Sequence, residues 1–165
     1  MVFESRFEWH KSAMPLSDPK RLMTGRLVDC LYTEAMLLAD ETRSYFDQVG
    51  RLDRDGLTPI ERVAFSCESL RVTTRLMHVI AWLLTRKAVA VGEIGEEDGR
   101  SESRRLGHAA ASDAAVITML PVAARGLVAA SIDLYDRVAR IDRDMIQPDA
   151  ISPALGLLRR IERAL

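Results

Sequence analysis

A helix start signal followed by a long stretch without a helix breaker constrains this chain more than any other feature. Thr58-Pro59-Ile60-Glu61 is a capping box with proline at the first helical position. Neither glycine nor proline occurs again before Gly92. Because glycine commonly ends a helix, the sequence predicts one long helix between Thr58 and Gly92.

Two apolar stripes run along this predicted helix. The first repeats with alternating spacings of three and four residues: Ile60, Val63, Cys67, Leu70, Thr74, Met77, Ala81, Leu84, Ala88 and Val91. The second runs beside it: Phe65, Val72, Leu76, Val79 and Leu83. A helix with two apolar faces has to be covered on two sides. We expect the bundle to cover one face, and a third helix or a second subunit to cover the other.

Two further helices are predicted on either side of the long one. Asp18-Pro19 begins the first, which Gly50 ends before a loop from Arg51 to Gly56. Its apolar stripe is Val28, Leu31, Ala35, Leu38, Thr42, Tyr45 and Val49. Pro121 begins the other and Pro148 closes it, with the stripe Ala124, Leu127, Ser131, Leu134, Val138, Ile141 and Met145.

These elements predict an all-α fold, an antiparallel three-helix bundle with a long linker between helices 2 and 3. Residues 18–147 form the bundle domain, with the linker at about 92–120. Residues 1–17 are expected to be a flexible N-terminal segment. Residues 148–165 are a C-terminal tail or a short helix, for which Ser152-Pro153 is a candidate cap.

Charge and hydropathy limit the setting in which the chain works. The net charge is −1, so no strong general attraction to nucleic acid is expected. The longest nearly apolar run, Leu76 to Leu84, is far shorter than the roughly 20 residues that a membrane-spanning helix needs. Charged residues interrupt the N-terminus, so it does not look like a secretion signal. We therefore predict a cytoplasmic protein without a membrane span.

The search for catalytic, cofactor and metal sites gives no candidates. A di-metal bundle site needs Glu three residues before His, and none of the three histidines has one. Asp53-Arg54-Asp55-Gly56 is similar to a calcium loop, but its register places Arg51 and Arg62 at ligand positions. No activated nucleophile and no phosphate-binding glycine loop is visible. We predict a protein that is not an enzyme and has no cofactor.

One polar stripe of the long helix is a candidate contact surface. Its members share one helical face: Glu68, Arg71, Arg75, His78, Trp82 and Arg86. One interpretation is a solvated stripe with local ion pairs, and the other is a docking surface, since Arg and Trp are enriched in binding hot spots. The partner-binding hypothesis names Arg71, Arg75, His78 and Trp82. A dimer interface is predicted at Val72, Leu76, Val79 and Leu83, because exposing that stripe would favour aggregation.

The long helix also carries a family resemblance. The segments ESLRVTTRLM at 68–77, AWLL at 81–84 and AVAVGE at 88–93 resemble the alphaproteobacterial family of the regulator of CtrA degradation (RcdA). The segment ETRSYFD at 41–47, followed by Gly50-Arg51, is similar to the end of that family's first helix. The resemblance extends from Pro19 to Glu93 and, more loosely, from Leu120 to Asp142.

The resemblance implies a homodimeric three-helix bundle without catalysis of its own. Members of the family act as adaptors in regulated proteolysis by ClpXP and help to deliver cell-cycle regulators. The expected partners are therefore protease components or their clients. The alternative is a nucleic-acid-binding or transcription-associated helical regulator, which predicts an affinity that falls steeply with salt concentration.

Overall fold

The computed structural model describes the backbone of residues 19–145 and the side chains of residues 25–145. Within that range the chain is all-α without strands, so the predicted fold class is confirmed. The expectations for residues 1–17 and 148–165 lie outside the described residues. The elements are α1 (Pro19–Ser44), a π-helical segment (Tyr45–Val49), α2 (Gly50–Asp55), α3 (Pro59–Ala90), α4 (Glu96–Arg100), a 3-10 turn (Glu102–Arg104), α5 (Ala114–Thr118) and α6 (Val122–Asp144).

The ends of α3 lie where the sequence predicted them. The Thr58 backbone N–H donates to Glu61 Oε2 at 2.8 Å, and the Thr58 hydroxyl lies 2.7 Å from the same oxygen. At the other end Gly92 has φ of +80°, a conformation that glycine adopts without steric cost. Both ends follow from residues within one turn of them, which is why a local pattern identified them.

The predicted end of the first helix is wrong. Gly50 does not stop it, because a wide π-helical turn leads directly into α2, which continues to Asp55. A Cβ at Gly50 would lie 2.8 Å from the Tyr45 carbonyl oxygen and 3.1 Å from the Phe65 ring. Glycine is therefore needed there for close packing, and most of the predicted loop is helical.

The three long helices do not all run antiparallel to their neighbours. Lys87 near the end of α3 bonds Asp29 near the start of α1, so these two helices run in opposite directions. By contrast, α3 and α6 run in the same direction, because Arg75 contacts Ser131 and, further along both helices, Trp82 contacts Asp142. The expected antiparallel order applies to α1 against its neighbours and does not apply to α3 against α6.

The parallel pair explains the long connection between these helices. A chain leaving the end of α3 has to return along its length before α6 begins. Residues 91–121, here called the crossover, do this in order: Gly99, Gly107 and Ala110 meet α3 at positions 86, 78 and 75. The crossover holds α4, the 3-10 turn and α5. The crossover is therefore the predicted long connection, and short helical segments occupy part of it.

The core lies where α1, α3 and α6 meet. Its buried side chains confirm most of the stripes predicted for α1 and α6; the α1 exception is the exposed Val49. From α3 it takes the second predicted stripe. The main buried apolar residues are Val28, Leu31, Ala35, Tyr45, Phe65, Val72, Leu76, Val79, Trp82, Leu83, Ala124, Leu127, Val128, Leu134 and Val138.

Candidate interaction surfaces

The stripe predicted to bind a partner faces the interior of this chain. Arg75 is 3% exposed and Trp82 is 2% exposed, while Arg71 and His78 are half-buried. A docking surface needs side chains that a partner can reach. In the single chain Arg75 and Trp82 are inaccessible to a partner, because the crossover and α6 cover them.

Glu68 and Arg75 anchor the crossover to α3 through polar contacts. Arg75 Nη2 donates to the Ala110 carbonyl oxygen at 3.1 Å and to Ser112 Oγ at 2.5 Å. The Ser112 hydroxyl donates to Glu68, which also accepts from Arg71. Burial lowers the pKa of Arg75, and the nearby Glu68 carboxylate opposes that shift. Two oppositely charged buried groups are therefore compensated by each other and by the crossover.

Trp82 takes part in a second anchor. Its Nε1–H donates to Asp142 Oδ1 at 2.7 Å. Arg105 of the crossover reaches the same carboxylate, with Nε 2.9 Å and Nη2 2.8 Å from Oδ2. The hydrogen bond to Asp142 raises the pKa of Arg105. Asp142 thus joins α3, α6 and the crossover at one point.

His78 lies directly under the backbone of the crossover. A Cβ at Gly107 would stand 1.6 Å from His78 Nδ1, so only glycine fits above this ring. The Tyr135 hydroxyl of α6 donates to the Gly107 carbonyl oxygen at 2.8 Å and so binds the crossover to α6 as well. All four residues of the predicted partner-binding stripe therefore have intrachain roles.

Sequence reasoning identified the contact stripe and missed the residues that it contacts. Those residues are Ser112, Ser131, Asp142 and Arg105, which are distant from α3 along the chain. A usable signal was Glu68 itself, which is fully buried and has Arg71 and Arg75 on its own helical face. An acid flanked in this way is typical of a buried ion pair.

The predicted dimer interface is part of the core. Val72, Val79 and Leu83 are fully buried, and Leu76 is 3% exposed. The expectation that a three-helix bundle leaves this stripe uncovered is wrong, because α1 and α6 both pack against α3.

The other apolar stripe of α3 is the exposed one. Its large members are between 46% and 72% exposed: Ile60, Val63, Leu70, Met77, Leu84 and Val91. We call the full set of ten positions the outer stripe: residues 60, 63, 67, 70, 74, 77, 81, 84, 88 and 91. At 1.5 Å per residue it is about 45 Å long. An exposed apolar surface of that length is typical of an interaction site.

Residues 25–145 contain neither a metal-binding cluster nor a membrane-spanning helix. No group of three or more His, Cys, Asp or Glu side chains there is arranged to hold a metal ion. In the same range no helix combines the length and the apolar character that crossing a bilayer requires. Cys30 and Cys67 are both free and exposed.

Comparison with known proteins places the chain in a family. The family described as "Protein of unknown function (DUF1465)" matches residues 19–165. The chain belongs to this family. No curated protein matches it.

A solved structure connects the DUF1465 family with the predicted resemblance. The chain is similar to RcdA from Caulobacter crescentus CB15, with 36% sequence identity and a TM-score of 0.60. The match covers 72% of this chain and 90% of the RcdA chain. The resemblance that was predicted from the long helix is therefore confirmed.

Proposed function

We propose that this DUF1465 protein is a non-enzymatic adaptor that works as a homodimer in the cytoplasm and brings partner proteins to regulated proteolysis of the ClpXP type. Similarity to RcdA supports the adaptor role. The outer stripe is the observation that carries the proposal for an interaction protein, because the single chain leaves it uncovered.

The occupant that fits the outer stripe best is a second copy of the same stripe. Alternating spacings of three and four are the seam of a coiled coil. Two such helices can lie antiparallel about a two-fold axis so that the residue numbers of each facing pair sum to 151. In every pair except the terminal one, a larger side chain then faces a smaller one. The pairs are Ile60 with Val91, Val63 with Ala88, Cys67 with Leu84, Leu70 with Ala81, and Thr74 with Met77. That alternation of sizes lets the two surfaces interdigitate.

This geometry is tested by a cysteine cross-link. Leu84→Cys in a Cys30→Ser background places a new thiol opposite native Cys67 of the partner subunit. Under mild oxidation we expect a disulfide-linked dimer on non-reducing gels. The matched control adds Cys67→Ser and should stay monomeric on the same gel. Equal cross-linking of the control, or a monomeric Leu84→Cys chain, would contradict the antiparallel pairing.

The adaptor role is tested separately with purified ClpX and ClpP from the cells that make this protein. Regulators that co-purify with it are supplied as substrates, and we expect the chain to accelerate their degradation. Met77→Glu should abolish the dimer because it places charge near the centre of the outer stripe. Ala130→Glu, at an exposed position of α6, should leave the dimer intact. Unchanged degradation rates with and without the wild-type chain would refute the adaptor role, whatever the oligomeric state.

The hypothesis that Arg71, Arg75, His78 and Trp82 bind a partner stays a prediction. In this structure a partner could reach that face of α3 only if crossover residues 105–112 moved away, because the crossover covers it. The competing proposal is a helical regulator that binds nucleic acid, which a DNA-binding titration would test. It would be recognised by an affinity that falls steeply between low and physiological salt concentration.

A further inference from the structure

A cavity of about 530 Å³ lies at the end of the bundle where α3 finishes. Most of its wall is apolar, and α1, α3, α4 and α6 all contribute to it. Trp82 and Arg86 lie in the wall. Its apolar lining includes Val28, Val89, Ile141 and Met145. Cavities of roughly 300–1,000 Å³ with apolar walls and a few placed polar groups are typical of small-molecule sites.

Arg86 is the unusual side chain in this wall. It is only 9% exposed, and its guanidinium lies 5.4 Å from the centre of the Trp82 ring. One Nη group donates to the Gly99 carbonyl oxygen and the other lies 4.0 Å from Met145 Sδ. Its buried Nε has no hydrogen-bond acceptor in the part of the chain that the structure describes.

Among the described residues, two other basic side chains line the cavity, and both are paired there whereas Arg86 is not. Lys87 bonds Asp29, and Arg100 lies 3.6 Å from Glu96. None of the ion pairs within residues 25–145 includes Arg86.

The Asp142 carboxylate acts on Arg86 through its charge, yet its hydrogen bonds go to Trp82 and Arg105. Burial lowers the pKa of Arg86, Asp142 opposes that shift, and the charges of Arg100 and Arg104 add to it. Arginine nevertheless stays protonated in proteins. The wall therefore contains a buried cation that no anion of residues 25–145 contacts, and such a charge is costly until an anion reaches it.

We propose that this cavity binds a small molecule that carries a carboxylate on an apolar group, with Arg86 contacting the carboxylate and the cavity wall covering the apolar part. The inference does not depend on the adaptor role. Shape and charge both support it, because the volume suits a small ligand and the unpaired guanidinium supplies a preference for an anion.

Decanoate is a suitable probe, with 1-decanol as the neutral compound of equal chain length. Calorimetric titration of the full chain should show decanoate binding more tightly than 1-decanol. Arg86→Gln should weaken decanoate binding by about tenfold or more, the value of a hydrogen bond to a charged group, and leave 1-decanol unchanged. Arg140→Gln, at an exposed site on α6, is the control for charge.

A second pair of variants tests the cavity independently of Arg86, in case Arg86→Gln disturbs the fold. A Cβ at Gly25, which lines the cavity, meets nothing within 4 Å, and the same holds at Gly126 on α6. Gly25→Leu should therefore reduce binding of both compounds without disturbing the helix, and Gly126→Leu should change neither. The proposal is overturned if decanoate does not bind at millimolar concentration, if Gly25→Leu binds it as wild type does, or if folded Arg86→Gln does so.

Discussion

The inner and outer faces of α3 both depart from the usual distribution of polar and apolar side chains. Its inner face, besides its apolar residues, buries three charged groups: Glu68 is fully buried, Arg75 is 3% exposed and Arg86 is 9% exposed. Its outer face exposes Leu70 and Met77 to 68% and 66%. The comparison shows that Glu68 and Arg75 are buried where the rest of the chain supplies a matching group for each. Glu68 and Arg75 find theirs in the crossover, whereas the outer stripe finds none within residues 25–145.

The largest expected effect tests the inner face. Arg75→Glu removes the contacts of Arg75 with Ala110, Ser112 and Ser131 and puts a second carboxylate beside Glu68. Breaking a buried charge pair costs about 3–5 kcal/mol, so we expect the free energy of unfolding to fall by that amount. Denaturant titration at one fixed protein concentration measures it.

Arg140→Glu is the matched control for that experiment, because it makes the same charge change at an exposed site of α6. It should alter the free energy of unfolding by less than about 0.5 kcal/mol. If Arg75→Glu were equally mild, the inner face would be a solvated stripe and the comparison between the faces would fail.

Two adjacent leucines compare the faces directly. Leu83 is fully buried and Leu84 is 46% exposed. Leu83→Ala should lower the free energy of unfolding by about 2–5 kcal/mol, since it leaves a cavity in the core. Leu84→Ala should change the monomer by less than about 0.5 kcal/mol while it weakens self-association.

Unfolding of the monomer and sedimentation at several concentrations separate the two quantities. A Leu84→Ala chain that unfolds as easily as Leu83→Ala would show that the outer stripe belongs to the core of the folded monomer. A Leu84→Ala chain that associates as wild type does would move the dimer contact elsewhere.

The smallest expected effect concerns the capping box at the start of α3. Hydrogen bonds from the Thr58 side chain and backbone lower the pKa of Glu61 from its ordinary value of 4.5. A lowered folded-state pKa means that Glu61 stabilises the fold above about pH 4.5 and loses this effect as the pH falls through the folded-state value. Glu61→Ala should therefore be less stable than wild type at pH 7 and nearly equal to it at strongly acidic pH.

Thermal unfolding at both pH values measures that difference, and Glu41→Ala, exposed on α1, is the control for removing a carboxylate. If the loss of stability in Glu61→Ala were the same at both pH values, the ionised carboxylate of Glu61 would not be what stabilises the start of α3.

Local features of the fold were predictable and the partners of each surface were not. Thr58 and Gly92 mark the ends of α3 because capping and a positive φ depend on neighbouring residues. Gly50 shows the limit of the same reasoning, since its close approach to Phe65 depends on residues 15 positions away. The candidate sites follow this division. The polar stripe was recognised, but its contacts with Ser112 and Asp142 could not be inferred from spacing.

Residue patterns alone were enough to show that this chain forms long amphipathic helices, that α3 carries two apolar stripes, and that the chain resembles the RcdA family. Periodicity and capping are properties of neighbouring residues, so they are visible without coordinates. Which of the two stripes is buried follows from the packing of the other helices, because both stripes are largely apolar and both lie along one helix face. The second stripe is buried because α1 and α6 both pack against it. The crossover returns along the polar side chains of α3 and gives Glu68 and Arg75 their partners, and the outer stripe stays exposed.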